Sequence, residues 1–223
     1  MRDAVGQILV LAVGVALSPI PIIGVVSMLA TPRGRANGAA FVLGWILGLA
    51  GAGAIVLLIS NAADAGTLGQ PANWLNVLNL VLGLALLLIA LRQWRERPRE
   101  GEPIEMPSWM RAVDRFTAGR AAALGIALSA INPKNLLLVV AAAAAIAQTG
   151  ISTGRQVASL AVFVLIGAIG PGMPVALHLT RGERSWPFLD DLKDWMARNN
   201  ATIMAVLCLL IGAKLIGDAI SGF

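Results

Sequence analysis

The stretch from about Ala118 to Ala147 is apolar and long enough to span a bilayer, yet Gly125-Ile-Ala-Leu-Ser-Ala-Ile-Asn-Pro-Lys-Asn135 lies inside it. Pro133 has no N–H, and its ring clashes with the carbonyl four residues back, so a helix cannot pass through it unbroken. The carbonyl of Ser129 thereby loses its helical donor. Asn132, Lys134 and Asn135 flank the break. A lysine at mid-membrane depth costs about 3 kcal/mol on insertion scales. Unwound backbone is tolerated at that depth only where protein buries it or water reaches it. A broken helix carrying two amides and a cation therefore reads as a binding site.

An earlier stretch is a near copy. Gly14-Val-Ala-Leu-Ser18 matches Gly125-Ile-Ala-Leu-Ser129 at four of five positions, and both runs lead into proline, Pro19 and Pro21 in the first and Pro133 in the second. Two interrupted helices at matching places in two halves point to a transporter site. Ser18, Pro19, Pro21, Ser129, Asn132, Pro133, Lys134 and Asn135 are the candidate substrate-binding residues.

Composition agrees with a membrane location. Charged residues make up 13% of the chain and hydrophobic ones 57%, where a soluble domain carries about 25% charge. Six apolar spans are expected, at about Val5–Leu29, Gly38–Ile59, Trp74–Leu91, Ala118–Ala147, Val157–Leu179 and Ala201–Ile220. They form one all-α membrane domain of two three-span repeats, residues 1–94 and 118–223, with helices 1 and 4 broken. Residues 95–117 form a linker containing a short interfacial helix near Trp109–Phe116. An odd number of spans per repeat inverts the second copy. Phe41-Val-Leu and Phe163-Val-Leu in spans 2 and 5 support the repeat. A signal-peptide cleavage in span 1 is not expected, because the leader Arg2-Asp3 has no net charge.

The net charge of +5 suggests nucleic acid until its placement is read. Thirteen basic residues fall on one side of the spans, in the loops near Arg33, Arg92–Arg120 and Arg181–Arg198; only Arg2 and Arg155 fall on the other. That bias is the signature of topology rather than a binding patch, and it places both termini outside. No nucleic-acid partner is expected. Gly44 and Gly48 form a G-x-x-x-G, which lets helices approach closely. Gly170, Pro171 and Pro174 are expected to bend or break span 5 and to shape an access path. Phe188, Leu189, Leu192, Trp195 and Met196 suggest a second surface helix.

Two lysines, Lys134 and Lys214, fall within the spans, and the one carboxylate there is Asp218, four residues from Lys214 and able to pair with it. Lys134 has no carboxylate at its depth. It is expected to face a water-accessible cavity and to contact an anionic substrate group; a lysine held by backbone carbonyls is the alternative. Lys134, His178 and Lys214 are the candidates for proton coupling. One His and one Cys argue against a zinc or copper site, and Ser18 and Ser129 have no His or Asp at comparable depth, so neither a metal, a cofactor nor an enzyme activity is expected.

Ala16-Leu-Ser-Pro-Ile-Pro-Ile22, Asn132-Pro-Lys-Asn135 and Arg198-Asn-Asn-Ala201 resemble the GAP family, the glycolipid-addressing, Sap-like group of the lysine-exporter (LysE) superfamily. The resemblance covers nearly the whole chain apart from 95–106. It implies a six-helix exporter of two inverted repeats that moves lipid-linked or small amphipathic molecules across a bacterial plasma membrane. The wider superfamily exports amino acids or metal ions, so membership leaves the substrate open. The expected function is therefore a secondary exporter of an amphipathic, anionic molecule, with the bilayer and that substrate as partners. An accessory role in a glycolipid-export machine is the rival reading, and a homodimer stays open.

Overall fold

The computed structural model describes residues 2–66, 73–98 and 108–222, and every regular element among them is helical. Residues 99–107, the acidic part of the expected linker, and residues 67–72 lie outside the described residues.

The first apolar run is two helices, α1 (Arg2–Ala16) and α2 (Pro19–Leu29), bent by 41° at the break. Ser18 is the N-cap of α2 and Pro19 its first residue, where a missing N–H costs no helical bond. Two long helices follow, α3 (Gly34–Gly66) and α4 (Asn73–Arg95). The expected interfacial helix is a 3-10 helix, Ser108–Arg115. Its Val113 is buried in the main core rather than turned to a membrane surface.

Thr117 caps α5 (Ala118–Ile126), accepting from the backbone N–H of Arg120 at 3.5 Å. The chain widens into a π-turn over Ala127–Ile131 and restarts as α6 (Pro133–Gln148), bent by 63°. Pro133 opens α6 as Pro19 opens α2. The break thus falls where proline chemistry places it, and the structurally matching pair is Ser18-Pro19 with Asn132-Pro133. That is three residues off the register of the Gly14/Gly125 sequence match, because the π-turn absorbs extra residues before the second break.

The last two helices differ from expectation. α7 (Thr153–Arg181) contains Pro171 and Pro174 yet runs unbroken. A short 3-10 turn, Gly182–Ser185, joins it to α8 (Trp186–Gly222). Gly182 has φ +56°, a conformation open to glycine and costly for other residues. The expected surface helix near Phe188–Met196 is the first part of α8, continuous with the last apolar run. Its Leu192 and Met196 pack with Ile22 and Ile23 of α2, while Phe188 and Trp195 are exposed, so only one face fits a membrane-surface role.

Among the described residues, Gly34–Ala62, Asn76–Arg95 and Thr153–Gly222 are long and apolar enough to cross a membrane, and counting each bent pair as one span makes five. On α3, buried Phe41, Trp45 and Leu49 face the core while Leu43, Leu47 and Leu58 are exposed. Large apolar side chains on the outer face of helices whose inner face is also apolar mark helices solvated by lipid.

Helix α3 packs closely on α5 through the predicted glycine motif. A Cβ on Gly44 would overlap the backbone carbonyl of Ala122, and one on Gly125 would overlap the backbone of Phe41 and lie 2.8 Å from the N of Trp45. The absent side chains let the two backbones touch, the usual role of small residues between membrane helices.

Candidate functional site

Each helix interruption frees a backbone carbonyl, and a buried carbonyl without a donor is costly. The site is built from the donors that meet them.

At the first break the chain tightens. The N–H of Ser18 bonds to the carbonyl of Val15 at 3.2 Å rather than to that of Gly14. Lys134, at the start of α6, supplies the missing donor: its Nζ donates to the Gly14 carbonyl at 2.8 Å and to the Ser18 Oγ at 2.6 Å. Ser18 Oγ donates in turn to Asn135 Oδ1 at 3.2 Å. At the second break, the N–H of Asn132 bonds to the carbonyl of Ala127 at 3.2 Å, one residue further back than in an α-helix, which leaves the Leu128 carbonyl free. Asn135 Nδ2 donates to that carbonyl at 2.9 Å. Asn132 Oδ1 accepts from the N–H of Lys134 at 3.1 Å and caps α6.

The two breaks therefore meet. Ser18, Lys134 and Asn135 form one hydrogen-bonded chain linking α1, α2 and α6. Lys134 is 3% exposed, so in this conformation it does not line the water-accessible cavity expected of it. The reason is the freed Gly14 carbonyl, an acceptor that exists only once α1 stops at Ala16. Pro19 and Pro21 are buried in the first turn of α2 beside the junction.

Ser129 stands apart. It is fully buried, but its Oγ donates to the Ile126 carbonyl at 3.1 Å, within its own turn. Its place against α3 leaves no room for a side chain at Gly48. Gly170 belongs near the junction: a Cβ there would overlap the carbonyl of Ala16, so α7 presses on α1 two residues before Ser18. Pro171 and Pro174 are buried in the same stretch of α7. His178 lies away from the junction, its Nδ1 3.4 Å from Ser185 Oγ and its ring 5.1 Å from that of Trp186. Lys214 pairs with Asp218, as the four-residue spacing expects.

Trp45 belongs to this pattern and was not singled out from the sequence. Pro171 cannot donate to the carbonyl of Gly167. The fully buried Trp45 donates its indole Nε1–H to that carbonyl at 3.1 Å. A tryptophan amid an apolar span needs such a partner, and a proline four residues after Gly167 supplies it; both signals are in the sequence, although the pairing is not. Trp45→Phe is expected to orphan that carbonyl and to cost about 1–3 kcal/mol. Thermal unfolding in detergent checks this, and an unchanged melting temperature would mean that Gly167 needs no indole donor.

Among the described residues no group of three or more His, Cys, Asp or Glu side chains is placed to hold a metal ion. What the junction offers is one cation, one hydroxyl and one amide in apolar surroundings. Such a set can bind an anionic or strongly accepting group, if that group replaces the Gly14 carbonyl and the Ser18 hydroxyl at Lys134.

Fold and site together define a helical, membrane-embedded protein with a polar junction between interrupted helices. The family model for Sap, the sulfolipid-1-addressing protein (SfLAP), matches residues 8–221, and the chain belongs to this family. That membership links this membrane protein to lipid export. No curated protein and no solved structure matches the chain.

Proposed function

We propose that the protein is a secondary exporter that moves a lipid-linked or small amphipathic molecule with an anionic group across a bacterial plasma membrane. The observation that carries this reading is the meeting of two helix breaks at the buried Ser18–Lys134–Asn135 chain. A lysine among apolar helices is costly to keep and marks a functional site by default. Here Lys134 closes the junction in the absence of substrate. An anionic headgroup takes over its hydrogen bonds, frees the Gly14 carbonyl, and thereby loosens the α1–α6 contact. Alternating access then needs no new contact, only an exchange of acceptors at one ammonium group.

Six passes in two inverted repeats fit this reading. The run Thr153–Gly222 holds 70 residues, about 105 Å of helix against a hydrocarbon core of about 30 Å, so it accounts for two passes turned at Gly182. Helix ends also agree. Asn61 and Gln156 exchange hydrogen bonds of 2.8 and 3.2 Å, joining the end of α3 to the start of α7. Asn76 bonds to the carbonyl of Gly222, joining the start of α4 to the end of α8. Gly83 of α4 and Gly212 of α8 face each other reciprocally: a Cβ on either would lie 2.9 Å from the other's carbonyl oxygen. A two-fold axis between repeats produces self-reciprocal contacts of this kind.

Both termini are placed outside, on the thirteen-to-two distribution of basic residues. With Cys208 replaced by alanine, an Ala112→Cys protein is expected to resist an impermeant thiol reagent in intact cells and to react after permeabilisation. Labelling in intact cells would reverse the orientation.

The exporter reading is tested in vesicles containing the purified protein and a fluorescent short-chain anionic lipid, with movement between leaflets followed by an impermeant quencher. Movement that depends on the protein and is lost in Lys134→Met supports it. If the protein moves nothing, yet a deletion strain lacks a surface lipid, the accessory role in a larger export machine replaces it.

A further inference from the structure

A cleft of about 250 Å³ opens between α4, α6 and α8 at the end of the bundle where α6 and α8 finish. Its wall carries the amides of Asn76, Asn79 and Gln148, the hydroxyl of Ser221, and the Lys214–Asp218 ion pair. Nothing in the Lys134 junction uses these groups. Some of these groups are engaged within the fold: Asn76 Nδ2 donates to the carbonyl of Gly222, Ser221 Oγ donates to that of Asp218, and Lys214 pairs with Asp218. That leaves the amides of Asn79 and Gln148, the Oδ1 of Asn76 and the acceptor side of the Ser221 hydroxyl to meet a ligand.

The position of the cleft is informative. Its floor includes Leu11 of α1 and Ala141 of α6. Leu11 lies one turn before Gly14, the carbonyl that Lys134 holds. On α6, Lys134, Leu138, Ala141, Ala145 and Gln148 follow at steps of four, three, four and three residues, so one helix face leads from the junction to the mouth of the cleft. Between the two lies a single apolar layer: Leu138 and Ile211 crowd the space beside Gly14, and both are buried. The cleft and the junction are thus consecutive stations on one seam between α1, α6 and α8.

The lining also selects a chemistry. Lys214 and Asp218 neutralise each other, so a free anion entering the cleft would meet a carboxylate and a free cation would meet an ammonium. Amides and hydroxyls present donors and acceptors side by side. An uncharged, hydroxyl-rich group satisfies both kinds and meets no uncompensated charge. The volume, just below the roughly 300–1,000 Å³ usual for ligand pockets, suits one small polar head rather than a whole amphipathic molecule.

The geometry points to a second binding site in this cleft, for the uncharged, polyhydroxylated head of an amphipathic molecule, one apolar layer away from Lys134. The inference rests on the exporter reading for its purpose, because the seam is then the route out, but binding in the cleft is measurable without transport. In a Cys208→Ala background, Ser221→Cys places a thiol in the wall. With the full-length protein in a polyoxyethylene detergent, octyl glucoside at twice its dissociation constant is expected to slow maleimide labelling about threefold. Octanol and octyl sulfate, which share the chain but not the head, are expected to leave the rate unchanged. Adding Asn79→Leu or Gln148→Leu should abolish the protection. A cysteine at Ala112, on the other end of the bundle, should show none.

Equal protection by octanol would make the cleft merely apolar, stronger protection by octyl sulfate would make it an anion site, and protection by none would leave it unoccupied; each overturns the proposal. The vesicle assay separates the two readings. Protection without lipid movement keeps the site and removes the exporter, whereas lipid movement without protection keeps the exporter and removes the site.

Discussion

Lys134→Met is expected to abolish export and also to lower the melting temperature. Methionine fills similar space but donates no hydrogen bond, so the Gly14 carbonyl and the Ser18 hydroxyl each lose a partner at 2.8 and 2.6 Å. An unpaired buried carbonyl costs about 1–3 kcal/mol. Removing the buried charge works in the other direction, because the ammonium no longer has to be held out of water. The geometry favours a net loss, because Gly14 and Ser18 are both buried and two groups lose their donor for one charge removed. Ser18→Ala provides the comparison. It leaves the bond from Lys134 to Gly14 in place and is expected to lower stability less, by about 1 kcal/mol. Export is to be measured per folded molecule, well below the melting point of each variant. A Lys134→Met protein that is destabilised but still exports would reduce the lysine to a structural clamp and remove the substrate contact.

Gly44→Leu and Gly125→Leu are expected to be among the most damaging substitutions in the bundle. Their positions adjoin neighbouring backbone, the carbonyl of Ala122 and the strand of atoms from Phe41 to Trp45, which cannot rotate aside as a side chain can. Overpacking a filled site costs about 1–3 kcal/mol or more, and here it separates α3 from the helix that leads into the second break. Even Gly44→Ala should destabilise, although alanine is the better helix former by about 1 kcal/mol. Gly51, on the same helix, has nothing near its Cα on the side where a Cβ would project. Gly51→Ala is therefore expected to be neutral or stabilising. Thermal unfolding of both alanine variants checks the close-packing account: if Gly44→Ala is as harmless as Gly51→Ala, the α3–α5 contact is looser than the geometry implies.

Much of the site was legible locally. Proline dictates a break whatever surrounds it, so Pro19 and Pro133 announced both interruptions, and each opens a new helix. The lysine beside an Asn-Pro break, with no carboxylate at its depth, announced a polar site. The G-x-x-x-G of α3 announced close packing, and its glycines do meet α5. At Pro171 and Pro174 proline does not interrupt the helix. There α7 continues unbroken, because a donor from another helix reaches the carbonyl that Pro171 frees. Ser129 shares the sequence context of Ser18 but not its contacts. Ser129 bonds within its own turn, because the break after it comes three residues later.

Composition and the prolines determined on their own that the chain is a helical membrane protein interrupted at two points. Each of these depends only on a residue and its near neighbours. The tertiary structure decided which donor meets each freed carbonyl: Lys134 at Gly14, 120 residues away, and Trp45 at Gly167, 122 residues away. It also decided that Lys134 is closed off in this conformation, and that the polar groups of α4, α6 and α8 gather into one cleft. A carbonyl without a donor is visible in a sequence, but its partner is chosen by which helices pack together, and that choice rests on contacts between residues far apart in the chain.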